Sequence, residues 1–106
     1  MATQTTKIWI SYDLGINGDY QSLYTWLDTH KARECGDSMA ILKDYKYSGD
    51  LVAYVLKDLK KAVKFRKTDR VYLICTKPIY ARFIIGGRKR SPWIGYSIDS
   101  DDQNDI

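Results

Sequence analysis

The side chain best placed for chemistry is an aspartate at the end of the first β-like segment. Asp13 lies at the end of an alternating run over 7–14 and shortly precedes the glycine-containing segment Gly15–Gly18. A single carboxylate can hold Mg²⁺ when phosphate oxygens and water molecules complete the octahedron. An aspartate in this position can equally hydrogen-bond backbone amides within a turn. Asp13 is therefore a candidate catalytic and metal-binding residue, with a structural role as the alternative.

Two clusters of basic residues are candidates for nucleic-acid binding. The first follows the polar side of a predicted helix (Lys57, Lys60, Lys61 and Lys64) and continues after it in Arg66, Lys67 and Arg70. The second lies in a predicted turn (Arg88, Lys89 and Arg90). Each cluster can neutralise phosphates without reading base sequence. Phe83, Trp93 and Tyr96 flank the turn and can stack on bases. The lysines can instead form an ordinary solvated helix face, and the aromatic residues can instead belong to the core.

Other common sites are not indicated by the sequence. His30 is the only histidine, which excludes a multi-histidine metal site, and its place at a predicted helix end indicates capping. Neither Gly15–Gly18 nor Gly86-Gly87 is followed by the lysine and hydroxyl of a phosphate-binding loop. The two cysteines, Cys35 and Cys75, are predicted to be reduced and structural.

Hydrophobic spacing predicts the elements that position these residues. In chain order they are a strand over 7–14, a helix capped by Asp19 and ending near His30, two hairpin strands over 31–35 and 38–44, a helix with cap candidates Ser48, Gly49 and Asp50, and a strand over 70–76. This β-α-β-β-α-β order predicts an α+β domain of the ferredoxin-like kind. Its sheet is expected to have four antiparallel strands, with two helices on one face.

The remaining segments follow the predicted βαββαβ unit in the chain. Residues 82–85 and 91–98 are predicted to form an extra C-terminal β-hairpin. The predicted domain covers residues 1–98, and a disordered acidic tail is expected over residues 99–106.

Composition and charge narrow the functional classes. The 106 residues are 44% hydrophobic and 28% charged, which is typical of one folded domain. No signal-like start and no apolar stretch of about 20 residues is present, so we expect a soluble, cytoplasmic protein without a membrane partner. All 17 Lys and Arg residues but only nine of the 13 acidic residues precede residue 99, giving that part a formal charge of +8. Such a charge favours a polyanionic partner.

The central strands are apolar on both faces. Trp9, Tyr72 and Ile74 lie opposite the face that two helices can cover, where an antiparallel sheet usually carries polar residues. We therefore predict a homodimer interface at Trp9, Tyr72 and Ile74. Coverage of this face by the chain's own C-terminal hairpin is the alternative.

The chain resembles the superfamily that contains the small CRISPR-associated ferredoxin-like adaptation subunit, the virulence-associated protein D toxins and SinR-like proteins. The resemblance is carried by Ile10–Leu14, Leu23, Tyr24 and Leu27, Ile41–Lys43, Asp69-Arg70 before the strand over 71–76, and Trp93–Tyr96. It implies a homodimer in which Asp13 lies near the dimer axis and can bind a divalent metal. Members act as metal-dependent nucleases or as nucleic-acid-binding subunits. This chain departs from them at Gly15–Asp19, where basic residues are expected.

The sequence thus favours a dimeric nucleic-acid-binding protein, whose ligand is RNA or DNA, serving as an accessory or defence-related subunit. One alternative is an Mg²⁺-dependent endonuclease that uses Asp13. Another is a non-enzymatic module that binds a protein partner. Binding is favoured over catalysis because no general base accompanies Asp13 in the sequence.

Overall fold

The computed structural model describes residues 2–88 and 90–97. Within these ranges the elements are β1 (Gln4–Asp13), α1 (Tyr20–Thr29), β2 (Arg33–Gly36), β3 (Met39–Tyr47), α2 (Leu51–Ala62), β4 (Arg70–Thr76) and β5 (Ile79–Ile85). The strands form one antiparallel sheet in the order β2-β3-β1-β4-β5. The predicted α+β class is confirmed.

The prediction of four strands was wrong, because the sheet has five. The chain reverses at Lys77-Pro78, immediately after β4, and β5 pairs with β4 from Ile79 onward. The predicted extra hairpin was also wrong within the described residues. Residues 82–85 belong to β5 of the main sheet, and residues 91–97 form turns rather than a strand. Residue 98 and the predicted acidic tail lie outside the described residues.

Both helices begin where the sequence predicts a cap. The side chain of Asp19 accepts a hydrogen bond from the Ser22 amide at 3.2 Å, and that of Asp50 accepts one from the Ala53 amide at 2.8 Å. His30 is the C-cap of α1, as predicted. Neither helix in the described part of the chain is long and apolar enough to cross a membrane.

The two faces of the sheet differ in burial because side chains alternate along each strand. Ile8, Ile10 and Tyr12 of β1 are buried together with the apolar sides of both helices in one core cluster. Val71, Leu73 and Cys75 continue this core on β4. We call the opposite side of the sheet, which carries Trp9, Ser11, Asp13, Tyr72 and Ile74, the open face.

A β-bulge in the β1–β3 pair changes which residues of β3 enter the core. The pairing shifts between Thr6 and Ile8, so that Lys43 and Asp44 are both exposed. Beyond the bulge, Tyr45 and Tyr47 are buried in the core. The predicted strand ended at Asp44, three residues before the observed end at Tyr47.

Candidate functional site

Apolar side chains from neighbouring strands lie side by side on the open face. The register gives two rows, one of Ile41, Trp9, Ile74 and Ala81 and one of Met39, Ser11, Tyr72 and Phe83. All of these side chains are half-buried or exposed. The open face therefore presents a mostly apolar, aromatic surface to solvent in the described part of the chain.

One end of the open face forms a cavity of about 730 Å³, which we call the face cavity. Its size lies within the range of about 300–1,000 Å³ that is usual for ligand sites. Tyr72 and Phe83 meet edge to face, with ring centroids 5.0 Å apart. Trp93 borders the same cavity and is 69% exposed, while Phe83 is 38% exposed. These rings offer flat apolar surfaces that a planar ligand can contact.

Gly86 explains how the chain after β5 comes to border the open face. Its φ is +62°, and a Cβ at this position would lie 2.2 Å from the carbonyl oxygen of Asp69. Only glycine tolerates both the conformation and this close approach. The turn at Gly86 is followed by Arg88 and Trp93, both of which line the face cavity.

Asp13 and Arg70 form an ion pair across the β1–β4 register at the edge of the face cavity. The Arg70 guanidinium donates to the Asp13 carboxylate, and the Asp13 side chain is 63% exposed. Arg70 already engages the carboxylate that the sequence proposed as a metal ligand. The predicted position of Asp13 at the end of β1 is confirmed; its metal-binding and catalytic roles stay predictions.

The residue before Arg70 is a fully buried carboxylate that ties two loops together. Asp69 accepts hydrogen bonds from the Gly15 amide at 2.8 Å and from the Arg66 amide at 2.7 Å, and it is 0% exposed. It therefore fixes the β1–α1 loop against the α2–β4 loop and holds the start of β4 in place. This role supports the geometry of the neighbouring Arg70.

Positive charges surround the aromatic surface. Arg70 and Arg88 line the face cavity. Lys7 lies on the same side of β1 as Trp9 by alternation, and Arg33 lies beside Ile41 in the register. Arg70 is half-buried and the other three are exposed. Asp13, paired with Arg70, reduces this positive charge at one end of the open face, and the exposed Asp44 lies in the same cavity as Arg33 at the β2 edge.

The structure separates the two basic clusters that the sequence proposed. Lys57, Lys60, Lys61 and Lys64 are exposed on or beside α2, on the helix side of the sheet. Arg88 borders the open face on the other side, and Arg90 is exposed but does not line the face cavity. Lys89 lies outside the described residues. The two clusters therefore do not form one continuous surface.

The aromatic residues proposed for stacking are not core residues. Phe83 and Trp93 line the face cavity, and Tyr96 is 88% exposed away from it. Trp9, Tyr72 and Ile74, predicted at a dimer interface, lie on the open face as expected from their alternation. Their role in a dimer stays a prediction.

A second polar cluster lies between the helices and β3. One oxygen of Asp58 accepts hydrogen bonds from the Tyr45 hydroxyl at 2.8 Å and the Trp26 indole N–H at 3.2 Å, and lies 3.4 Å from His30 Nε2. Burial raises the pKa of Tyr45 far above its ordinary value, and the hydrogen bond to Asp58 adds to the effect. The cluster joins α1, α2 and β3.

A metal ion at Asp13 would have few protein ligands in the described part of the chain. No group of three or more His, Cys, Asp or Glu side chains suited to a metal ion occurs within residues 2–88 and 90–97. The guanidinium of Arg70 competes with a cation for Asp13. Mg²⁺ binding at Asp13, which needs only one protein carboxylate when phosphate oxygens and water complete the coordination, stays a prediction.

Comparison with protein-family models, with curated proteins and with solved structures gives no match to this chain. The functional argument therefore depends on the site itself.

Sequence reasoning missed two features of this site. Arg70 was grouped with the lysines after α2, although its position at the start of β4 opposite Asp13 predicts a cross-strand ion pair. Phe83 was assigned to an added hairpin, so its contact with Tyr72 was not foreseen. The alternation of Tyr72 and Ile74 with buried neighbours did identify the open face, but it was interpreted as a dimer interface.

Proposed function

We propose that the protein binds single-stranded nucleic acid, RNA or DNA, on its open face. The observation that carries the proposal is the face cavity, where Tyr72, Phe83 and Trp93 lie beside Arg70 and Arg88. Aromatic side chains stack on bases of any sequence, and nearby arginines neutralise the phosphates. A duplex hides its bases, so this surface favours unpaired strands.

The topology supports the same proposal. The order β2-β3-β1-β4, with helices after β1 and β3, corresponds to a ferredoxin-like βαββαβ unit to which β5 adds one edge strand. We propose this fold assignment, and with it the resemblance to the CRISPR-associated and SinR-like superfamily. In RNA-binding domains with a four-stranded sheet, aromatic residues of the exposed sheet face stack two or three bases.

A homodimer through Trp9, Tyr72 and Ile74 would use the same surface. An interface with two-fold symmetry would bring the positively charged surroundings of one open face, including Lys7, Arg33 and Arg88, against the equally positive surroundings of the other. Like charges oppose such an approach, whereas a polyanion is attracted. We therefore favour nucleic acid on this face, and propose that any dimer forms elsewhere or gives way to the ligand. A cytoplasmic location stays a prediction.

The proposal is tested by the binding of fluorescently labelled single-stranded oligonucleotides, measured by anisotropy at several salt concentrations. Trp93→Ala is expected to weaken binding about 5-fold to 150-fold, because stacking on one aromatic ring contributes about 1–3 kcal/mol. Tyr96→Ala is the matched control, since Tyr96 lies in the same segment but outside the face cavity. Arg88→Glu should weaken binding at low salt and reduce the slope of log K against log salt by about 0.7.

Several results would contradict the proposal. Unchanged affinity in both Trp93→Ala and Arg88→Glu would exclude the open face. A larger loss in Lys60→Glu than in Arg88→Glu would move the site to α2. No binding by the wild type would point instead to a protein partner, the non-enzymatic alternative of the sequence.

An Mg²⁺-dependent endonuclease using Asp13 is the second candidate function. It predicts cleavage of the same oligonucleotides that stops with chelator and in Asp13→Ala. The pairing of Asp13 with Arg70 favours binding without cleavage.

A further inference from the structure

A second cavity, of about 720 Å³, lies at the opposite edge of the sheet from β5. We call it the edge cavity. Four basic side chains line it, Lys31, Arg33, Lys43 and Lys46, together with the acidic Asp44. Neither basic cluster proposed from the sequence includes any of these residues. Their concentration in one concave surface favours an anionic ligand.

The fold creates this cavity because β2 is short. β2 pairs with β3 only as far as Ile41. Beyond Ile41, β3 still pairs with β1 on one side, but no described strand lies on its other side. The bulge turns Lys43 and Asp44 outward together at this edge. The C-terminal end of α1, at His30 and Lys31, borders the remaining side.

The edge cavity borders the open face at Arg33. Arg33 is the register neighbour of Ile41, which is the neighbour of Trp9. Thr5, which also lines the cavity, pairs with Lys46 on β3. Phe83 on β5 and Arg33 on β2 are separated by four strand spacings, or about 19 Å. A strand of nucleic acid that crosses the sheet from the face cavity therefore reaches the edge cavity.

Lys31 has a backbone conformation that favours glycine. Its φ is +56°, in the left-handed region. Its amide donates to the Asp28 carbonyl at 2.9 Å, and the Ala32 amide donates to the Leu27 carbonyl at 2.9 Å, which is the Schellman arrangement. Glycine is the usual residue at this position, because a Cβ is disfavoured there. A lysine that keeps this conformation at the wall of a basic cavity points to a role for its side chain.

The same hydrogen bonds make the end of α1 compatible with an anion. A helix C-terminus carries a partial negative charge on its unsatisfied carbonyl groups. Here the Trp26, Leu27 and Asp28 carbonyls accept from the amides of His30, Ala32 and Lys31. These bonds reduce the repulsion that an anion would meet next to α1.

We propose that the edge cavity binds backbone phosphates of the single strand whose bases contact the open face. This inference depends on the proposed function and adds a direction to it, since the strand runs across the sheet from β5 toward β2. Lys31, Arg33, Lys43 and Lys46 hold the phosphates, and the aromatic residues of the open face hold the bases.

The test compares Lys31→Gly with Ser38→Gly. Ser38 is the other non-glycine residue described with a positive φ, at +58°, and it lies in the β2–β3 turn outside the edge cavity. Both glycine variants are expected to unfold at a higher temperature, because both relieve a disfavoured backbone conformation. Only Lys31→Gly is expected to weaken binding of an oligonucleotide of about 16 nucleotides, by about threefold to tenfold at low salt, with a salt slope lower by about 0.7.

Strand length separates this inference from the proposed function. A fluorescently labelled dinucleotide, too short to span the roughly 19 Å from Phe83 to Arg33, should be weakened by Trp93→Ala and unaffected by Lys31→Gly and Lys43→Glu. If Trp93→Ala weakens the long strand but Lys31→Gly and Lys43→Glu do not, the edge cavity is not part of the path and the proposed function stands. If none of the three variants weakens binding, both the path and the proposed function are wrong.

Discussion

Replacing the buried Asp69 by alanine should be one of the most damaging single changes to the stability of this chain. The substitution removes the two acceptors that hold the Gly15 and Arg66 amides. Hydrogen bonds to a charged group contribute about 1.5–3 kcal/mol each. Water can enter the two loops after the change, so we take about 1.5 kcal/mol for each hydrogen bond. The expected decrease in the free energy of unfolding is therefore about 3 kcal/mol. For a domain of this size that corresponds to a decrease in Tm of roughly 12–20 °C.

The assay is urea unfolding followed by circular dichroism and by intrinsic fluorescence, with Asp69→Asn in parallel. In the wild type each carboxylate oxygen of Asp69 accepts one amide, Gly15 on Oδ1 and Arg66 on Oδ2. Asparagine keeps one acceptor oxygen, so its loss should be intermediate. The reasoning is refuted if Asp69→Ala changes the free energy of unfolding by less than about 0.5 kcal/mol, the range of ordinary surface substitutions.

Four further predictions address the site and its surroundings. Gly86→Ala should destabilise the fold by about 1–3 kcal/mol, measured by thermal unfolding, because the added Cβ collides with the Asp69 carbonyl. The same change should weaken oligonucleotide binding, measured by anisotropy, because it displaces the segment that carries Arg88. Asp13→Ala should strengthen oligonucleotide binding at low salt, since it frees Arg70 for phosphate, and weaker binding there would contradict this. Burial raises the pKa of Tyr45 above its ordinary value of 10.0. The contribution of the neutral tyrosine to the free energy of unfolding is therefore fully present below pH 10.0 and is lost as the pH rises through the raised pKa. Tyr45→Phe should lose less stability at alkaline pH, as measured by urea unfolding over a series of pH values. The pKa of Asp19 is lowered chiefly by the hydrogen bond from the Lys64 amide. The contribution of the ionised Asp19 to the free energy of unfolding is therefore present above pH 3.8 and is lost as the pH falls below that value. An Asp19→Asn variant that loses as much stability in acid as the wild type would contradict this.

Local patterns were sufficient for most of the elements. The cap at Asp19 and the strand over 70–76 were predicted correctly, and Asp50 was one of three cap candidates for α2, because capping and alternation depend on neighbouring residues. The end of β3 was missed since the bulge exposes Lys43 and Asp44 in succession and breaks the period of two. The sequence alone does not reveal such a bulge, which depends on the pairing with β1.

The site was harder to predict because it is assembled from residues distant in the chain. Asp13 was identified by its place at the end of β1, but its partner Arg70 became evident only through the β1–β4 register. The start of β5 was missed because the next strand was predicted only from residue 82, whereas the chain reverses at Lys77-Pro78 and continues the sheet from Ile79. The contact between Tyr72 and Phe83 follows from that reversal.

The most direct test of the central claim is to map the residues that a single-stranded oligonucleotide contacts, using amide and indole chemical shifts of the ¹⁵N-labelled protein during a titration. Binding on the open face predicts shifts concentrated at the Trp9 indole, at Tyr72 and around Arg88, with little change along α2. Shifts concentrated at Lys57, Lys61 and their neighbours on α2, or no shifts at all, would contradict it.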